Sequence, residues 1–207
     1  MSRGVVLIGY SGHSYVVHDI FLSMNKKIIG YCEKIKKSHS PLKLKYIGDE
    51  NSKEVISQLE ELDYFIAIGD NLTRKNIYYN LIKSLKHKSI NAIHCSAIIS
   101  ESVFLEDGIM VSPNVIINAF SKIGKGVICN TNVVIEHECL IEDFCHIAPG
   151  AVLCGNVRVG ELSFIGANAV IKEGIKIGSN VKIGAGTVVI KDVADNSTVV
   201  GNPQRTI

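Results

Sequence analysis

The sequence predicts a small parallel α/β unit followed by an all-β parallel solenoid. Three observations carry that reading: an unbroken six-residue repeat, an alternation of apolar strands and helical stretches before it, and a glycine-rich turn after the first strand. From Ala97 to Asp192 the chain repeats every six residues, sixteen times, with no insertion. The third place of each hexad is aliphatic, with one Cys, as in Ile117, Ile123, Cys129, Ile135 and Ile141. The first place is small or β-branched, as in Val115, Ser121, Val127, Val133 and Cys139. Repetition at a fixed period defines an architecture.

Places one and three are two residues apart, so in an extended chain both side chains point the same way. Each hexad therefore reads as a short strand with an inward apolar pair and a turn of Gly, Asn, Asp, Glu, Lys or Ser. A period of six does not match the 3.6 of an amphipathic helix. Three hexads close a triangular coil, and the run makes a little over five coils, about 25 Å tall at the strand spacing. Each coil buries its apolar row only against the coils above and below. The outward places read as a polar-dressed surface with little apolar content.

Before the repeats the period changes. Val5–Gly9 reads as a strand running into Gly9-Tyr10-Ser11-Gly12-His13, followed by a helical stretch over Ser14–Met24. Lys27–Tyr31 reads as a second strand ending at Cys32 and Glu33, and Tyr46–Gly48 as a third. Ser52–Leu62 and Leu72–Lys86 read as helices around a buried strand at Tyr64–Gly69, with a last strand at Ile90–Ile93. Alternating strands and helices imply a parallel sheet. The division is a Rossmann-like domain over residues 1–90 and the solenoid with a C-terminal tail over 91–207. The first turn opens a helix whose backbone N–H groups can hold phosphate, and an acid at Glu33 can bind ribose hydroxyls. The full dinucleotide glycine pattern is missing, which argues against a dehydrogenase. Gly9 and Gly12 also suit a plain tight turn.

Composition narrows the class. The formal net charge is +2, from 22 basic and 20 acidic side chains. The one basic run, Lys34–Lys37, reads as a solvated loop, so no nucleic-acid partner is expected. No apolar stretch is long enough to span a membrane, and the N-terminus lacks a signal-peptide pattern. Cys129, Cys139 and Cys145 fall on inward places and read as buried hydrophobes of a reducing cytoplasm.

The candidate chemistry stands on the outward places. His137 takes the fifth place of its hexad between Glu136 and Glu138, and His146 takes the second place of another. An imidazole titrates near neutrality and can take a proton from an attacking amine or hydroxyl, while a neighbouring carboxylate fixes its tautomer. Asn130 can donate an amide hydrogen bond to substrate or oxyanion. Each histidine taken alone also reads as an ordinary surface residue. His94, His137 and His146 form no compact ligand motif, so no metal is expected.

Taken together, Gly9-Tyr10-Ser11-Gly12-His13, Asn130, Ile135-Glu136-His137-Glu138-Cys139, His146, Gly155-Asn156-Val157 and Gly201-Asn202-Pro203 resemble the bacterial PglD/NeuD group of sugar acyltransferases. The resemblance runs over nearly the whole chain. It implies a left-handed parallel β-helix (hexapeptide-repeat solenoid) that binds acetyl-coenzyme A, and an α/β domain that binds a nucleotide-activated sugar. It implies a homotrimer with active sites between neighbouring β-helices. By motif, His137 is the general base and Glu138 its partner, with Asn130 completing the catalytic set. His146, Gly155, Ala167 and Ala185 line the coenzyme A groove, and backbone N–H groups near Gly155 hold the oxyanion. Ser11, Gly12, His13 and Glu33 contact the nucleotide sugar; Glu33 is a single acid where the group often has paired Asp.

The resulting expectation is a cytoplasmic acetyl-CoA-dependent N-acetyltransferase acting on a nucleotide-linked amino sugar, a UDP-4-amino-4,6-dideoxy sugar, for surface glycan synthesis. O-acetylation of a sialic-type sugar, a non-catalytic nucleotide-sugar scaffold and a carbonic-anhydrase-like metalloenzyme stand as rivals.

Overall fold

A computed structural model describes residues 3–207. Its α/β part is a four-stranded parallel sheet in the order β3-β2-β1-β4, with β1 Val5–Ile8, β2 Ile28–Cys32, β3 Lys45–Gly48 and β4 Asp63–Ile66. The helices are α1 Gly12–Ser23, α2 Lys53–Leu59 and α3 Asn71–Ser84. The continuous apolar run of β1 is buried on both faces, as expected for a central parallel strand. Val5 and Leu7 pack with Val17, Ile20 and Phe21 of α1, while Val6 and Ile8 pack with Val55 and Leu59 of α2 and Tyr78 and Leu81 of α3.

Helix α1 begins two residues earlier than Ser14. The Ser11 N–H donates to Ser14 Oγ at 2.9 Å, and that hydroxyl donates to the Ser11 carbonyl at 2.6 Å, a cap that lets the helix start at Gly12. Helix α2 stops at Leu59, short of Leu62. The predicted strand at Ile90–Ile93 shortens to Ala92–Ile93 and pairs with Met110–Val111. It is the first rung of the solenoid.

The solenoid is a three-sided stack of two-residue parallel strands, with residues eighteen apart in register: Lys122 with Leu140 and Arg158, Ile128 with His146 and Phe164. Places one and three fill its interior, including Cys129, Cys139 and Cys145. Two inward hydroxyls are satisfied by backbone, Ser121 donating to the Glu136 carbonyl at 2.8 Å and Ser163 to that of Gly178 at 2.7 Å, whereas the buried Thr187 hydroxyl finds no partner among the described residues.

The sixth place carries a rule the hexad pattern did not reveal. From Gly108 to Gly186 every sixth-place residue has a positive φ. Gly and Asn occupy most of these turns, as that conformation favours. Four do not fit: Phe120, Glu138, Phe144 and Leu162.

The three faces differ. The α/β domain covers the lower part of one face, where Met110 and Ile128 enter the α1 core and the adjoining turns insert Phe144 and Leu162 against α3. A second face is charged, with Lys122, Arg158 and Lys176 around Leu140. The third corrects the expectation of a polar surface: its outward places are Ile98, Ile116, Val134, Val152, Val170 and Val188. This aliphatic stripe has Ile98 at 66% exposure and Val170 at 37%. None of the described helices is long and apolar enough to cross a membrane.

Candidate active site

The candidate residues fall on two edges of the prism and one turn of the α/β domain. One edge holds His137, Glu138 and Gly155. The turn after Val134–Ile135 exposes His137, and its Nδ1 lies 3.1 Å from Glu138 Oε2. Glu138 sits in a left-handed turn conformation (φ 59°) and its N–H donates to the Ala119 carbonyl one coil below, at 2.9 Å. The strained turn thus aims the carboxylate at the imidazole. Gly155 is the next residue up that edge. A Cβ there would lie 2.6 Å from His137 Cε1 and Nε2, so the ring rests against bare backbone. Among the described residues nothing accepts the Gly155 N–H.

The second edge holds Asn130, Ala167 and Ala185, in the turns that follow the strands of the docked face, with His146 on that face beside them. Asn130 Nδ2 lies 3.3 Å from His146 Nε2. The amide nitrogen can only donate, which makes Nε2 the unprotonated nitrogen of a neutral ring. His146 packs edge-on against Phe164 at 5.1 Å and lies 6.4 Å, centroid to centroid, from His13 of α1. Burial, then the nearby Arg74 guanidinium, pushes both imidazoles down to about 4; for His146 the His13 ring adds to this. His13 Nε2 is buried without a hydrogen-bond partner. Beside this cluster a cleft of about 760 Å³ opens between the start of α3 at Gly69–Leu72 and the solenoid at Phe164 and Lys182.

The turn after β1 is open at Gly12, where a Cβ would meet nothing within 4 Å. Glu33 closes the loop from the next strand: its Oε1 accepts the Tyr10 N–H at 2.9 Å and lies 3.4 Å from Lys37 Nζ. The structure brings His13 to His146 and Asn130 to His146. It does not bring Asn130 to His137, because seven residues along the repeat lead from one edge to the next. His94 bonds Ser96 instead of approaching the other histidines, and no group of three metal-ligating side chains converges among the described residues.

Arg74 is a central residue that the sequence reading did not single out. It is 1% exposed and donates to the carbonyls of Gly126, Ile68, Gly69, Phe144 and Cys145 and to Asn71 Oδ1, at 2.7–3.3 Å. Among the described residues no carboxylate pairs with it, so the buried charge is carried by carbonyl dipoles from both domains. Its trace in the sequence was an Arg at the start of the buried stripe Arg74, Tyr78, Leu81 of α3.

Comparison with known proteins agrees with this architecture. Residues 4–81 match the family model described as PglD N-terminal domain, and residues 156–191 match bacterial transferase hexapeptide (six repeats). The chain is 33% identical over 151 residues to GDP-perosamine N-acetyltransferase of Escherichia coli O157:H7, covering 69% of this chain and 66% of that one. It spans between 42% and 66% of the length of the curated relatives it matches. Among solved structures it superposes on PerB from Caulobacter crescentus in complex with CoA and GDP-perosamine (TM-score 0.90, 34% identity, 99% of this chain and 97% of that one). It also superposes on the acetyltransferase domain of PglB from Neisseria gonorrhoeae FA1090 in complex with acetyl coenzyme A (TM-score 0.92, 32% identity, 100% of both chains). The solenoid is therefore the left-handed β-helix of these enzymes, and the chain belongs to the PglD/NeuD-type family of hexapeptide-repeat sugar acyltransferases.

Proposed function

We propose that this protein transfers the acetyl group of acetyl-CoA to the amine of a nucleotide-linked amino sugar. The observation that carries the reading is the His137–Glu138 pair, 3.1 Å apart and set against the bare backbone of Gly155. His137 Nε2 takes a proton from the sugar amine as the nitrogen attacks the thioester carbonyl carbon. Glu138 holds Nδ1–H and steadies the imidazolium. The Gly155 N–H stabilises the oxyanion, the carbon–sulfur bond breaks, and the proton on His137 passes to the departing CoA thiolate. Cys139 is buried with its thiol pushed up to about 11, chiefly by desolvation, which suits direct transfer rather than an acyl-cysteine.

The aliphatic face supports a homotrimer. It is bounded on one side by the His137 edge and on the other by the Asn130 edge. Packing three such faces around a threefold axis sets the His137 edge of each protomer beside the Asn130 edge of its neighbour. That assembly joins the two half-sites that one chain keeps apart. In it, His146, Ala167 and Ala185 of one protomer hold acetyl-CoA near His137 of the next. Ser11, Gly12, His13 and Glu33 bind the nucleotide sugar. The perosamine-acting relatives favour a GDP-linked 4-amino-4,6-dideoxy sugar over the UDP-linked one expected from sequence. We place the reaction in the cytoplasm, where both substrates are made. The test is CoA thiol release with GDP- and UDP-linked 4-amino sugars as acceptors. Acetyl-CoA-dependent turnover on one of them supports the reading, and no turnover on any refutes it.

A further inference from the structure

The turn that carries His137 is held from inside the solenoid. In the ordinary hexad turn the fourth-place carbonyl accepts the N–H of the next first place directly: Asn130 from Val133 at 3.2 Å, Gly160 from Ser163 at 3.3 Å, Gly166 from Ala169 at 3.1 Å. In the His137 turn a hydroxyl stands in that gap instead. The fully buried Ser121, one coil below, donates to the Glu136 carbonyl at 2.8 Å and accepts the Cys139 N–H at 3.2 Å. Its single oxygen therefore ties both ends of Glu136-His137-Glu138-Cys139 and sets how wide the turn stands.

The tie lies under the proposed chemistry. The first places stacked in this column are Val103, Ser121, Cys139, Val157 and Ile175, and the two polar ones lie directly beneath the His137 turn and the Gly155 turn. Cys139 Sγ donates to the Cys154 carbonyl at 3.2 Å. In a trans peptide the C=O and N–H point opposite ways, so a carbonyl held inward turns the Gly155 N–H outward, where the His137 ring rests. Glu136 is drawn off the ring by Asn118, whose Nδ2 donates to its Oε2 at 3.0 Å, leaving Glu138 as the carboxylate on Nδ1. Ser163 makes the same insertion on the remaining edge: it donates to the Gly178 carbonyl at 2.7 Å and accepts the Val181 N–H at 2.9 Å. That turn carries Ser179 and Asn180 and none of the acetyl-transfer residues, so it is a matched control.

We propose that Ser121 is a positioning residue for His137: its hydroxyl, inserted between Glu136 and Cys139, sets the turn width at which the imidazole meets Glu138 and the Gly155 backbone. Without it the ordinary bond from the Cys139 N–H to the Glu136 carbonyl closes, the turn narrows and the ring leaves the carboxylate. An ionised carboxylate only accepts, so in the intact pair Nδ1 carries the proton and Nε2 is free to act as base. A ring that loses Glu138 is released to the Nε2–H form, which cannot take the amine proton there. What the ring does rests on the acetyl-transfer reading above; where Ser121 holds it is read separately.

Ser121→Ala and Ser163→Ala remove the same kind of tie at two edges, so both lower the melting temperature to a similar degree. Only Ser121→Ala lowers kcat, by about 10- to 100-fold, the cost of misplacing a reacting group, with the KM of acetyl-CoA and of acceptor within about twofold of wild type. Ser121→Cys keeps a donor of the kind Cys139 uses one coil above. Its kcat falls between those of the two alanine variants, and it takes the place of Ser121→Ala if that protein does not fold. The arm without turnover is NMR of the histidine ring nitrogens in mildly alkaline buffer, with His137 assigned by its absence from His137→Ala. Wild type and Ser163→Ala show the Nδ1–H ring, and Ser121→Ala shifts toward Nε2–H. This arm decides the proposal even if no amino sugar is acetylated, an outcome that refutes the acetyl-transfer reading alone. A wild-type ring already in the Nε2–H form, or an unchanged tautomer in Ser121→Ala, overturns the proposal. So does an equal fall of kcat in Ser163→Ala, which would make both ties supports of the fold and nothing more.

Discussion

His137 and Gly155 make the sharpest residue-scale predictions, because the fold depends on neither side chain. His137 occupies a non-core place, so His137→Ala leaves no cavity in the Ile135/Ile141 row and the protein stays folded. Its kcat falls by about 10²- to 10⁴-fold, the loss typical for a general base. Gly155→Ala tests the contact itself. Its Cβ would stand 2.6 Å from the His137 ring, so the ring must swing away from its place against the backbone. The expected result is a lower kcat with a nearly unchanged melting temperature; wild-type turnover in Gly155→Ala would show that the ring's position does not matter. Gly12→Val offers a contrast in the α/β domain. Nothing lies within 4 Å of its Cβ, so the fold tolerates it, and a raised acceptor KM with unchanged acetyl-CoA KM reports the phosphate approach.

At the scale of elements, the aliphatic stripe is the feature most open to a single change. Val134 and Val152 are paired neighbours on that face, and Val152→Glu puts a charge in the middle of the proposed trimer seam. Sedimentation should then show monomers with the solenoid's circular dichroism intact. Ile135→Ala, by contrast, empties part of the interior row and costs about 2–5 kcal/mol of stability without changing assembly. Val134 and Ile135, neighbours in sequence, show what the repeat discloses. The inward places were legible because every hexad repeats them. The aliphatic face was not, because its outward residues recur only every third hexad, from Val134 to Val152, between hexads that place Leu140 and His146 on other faces. The positive-φ turns were hidden by the four residues that adopt them without being Gly or Asn, Glu138 among them. Arg74 was illegible because its acceptors are backbone carbonyls contributed by residues as distant as Gly126 and Cys145. Asn130 and His137 are seven residues apart and look adjacent on paper, whereas only residues eighteen apart stack on one edge.

In the whole molecule, the two domains are joined through Arg74, His13 and His146, and that joint sets how stability depends on pH. Both imidazoles are held down to about 4, first by burial, then by Arg74, with each ring facing the other. In the unfolded chain they titrate near 6.5. Between about pH 6.5 and 4 the unfolded state therefore binds more protons, and stability falls as pH falls through that window, being complete above it. A His13→Gln protein should show a flatter melting-temperature profile there; an identical profile would contradict the assignment. The same joint fixes the α/β domain over the docked face, so the turn at Gly12 is carried with the Asn130 edge, and in the proposed trimer it serves the His137 edge of a neighbour. Mixed trimers test that sharing most directly. His137→Ala and Asn130→Ala proteins, each expected to lose activity alone, are unfolded together in equal amounts and refolded. A site made by two protomers is intact whenever an Asn130→Ala chain lends its His137 to an edge of a His137→Ala chain. Random mixing predicts recovery of about one quarter of wild-type activity. No recovery from fully refolded mixed trimers would mean that His137 and Asn130 serve the same protomer, and would contradict the shared site.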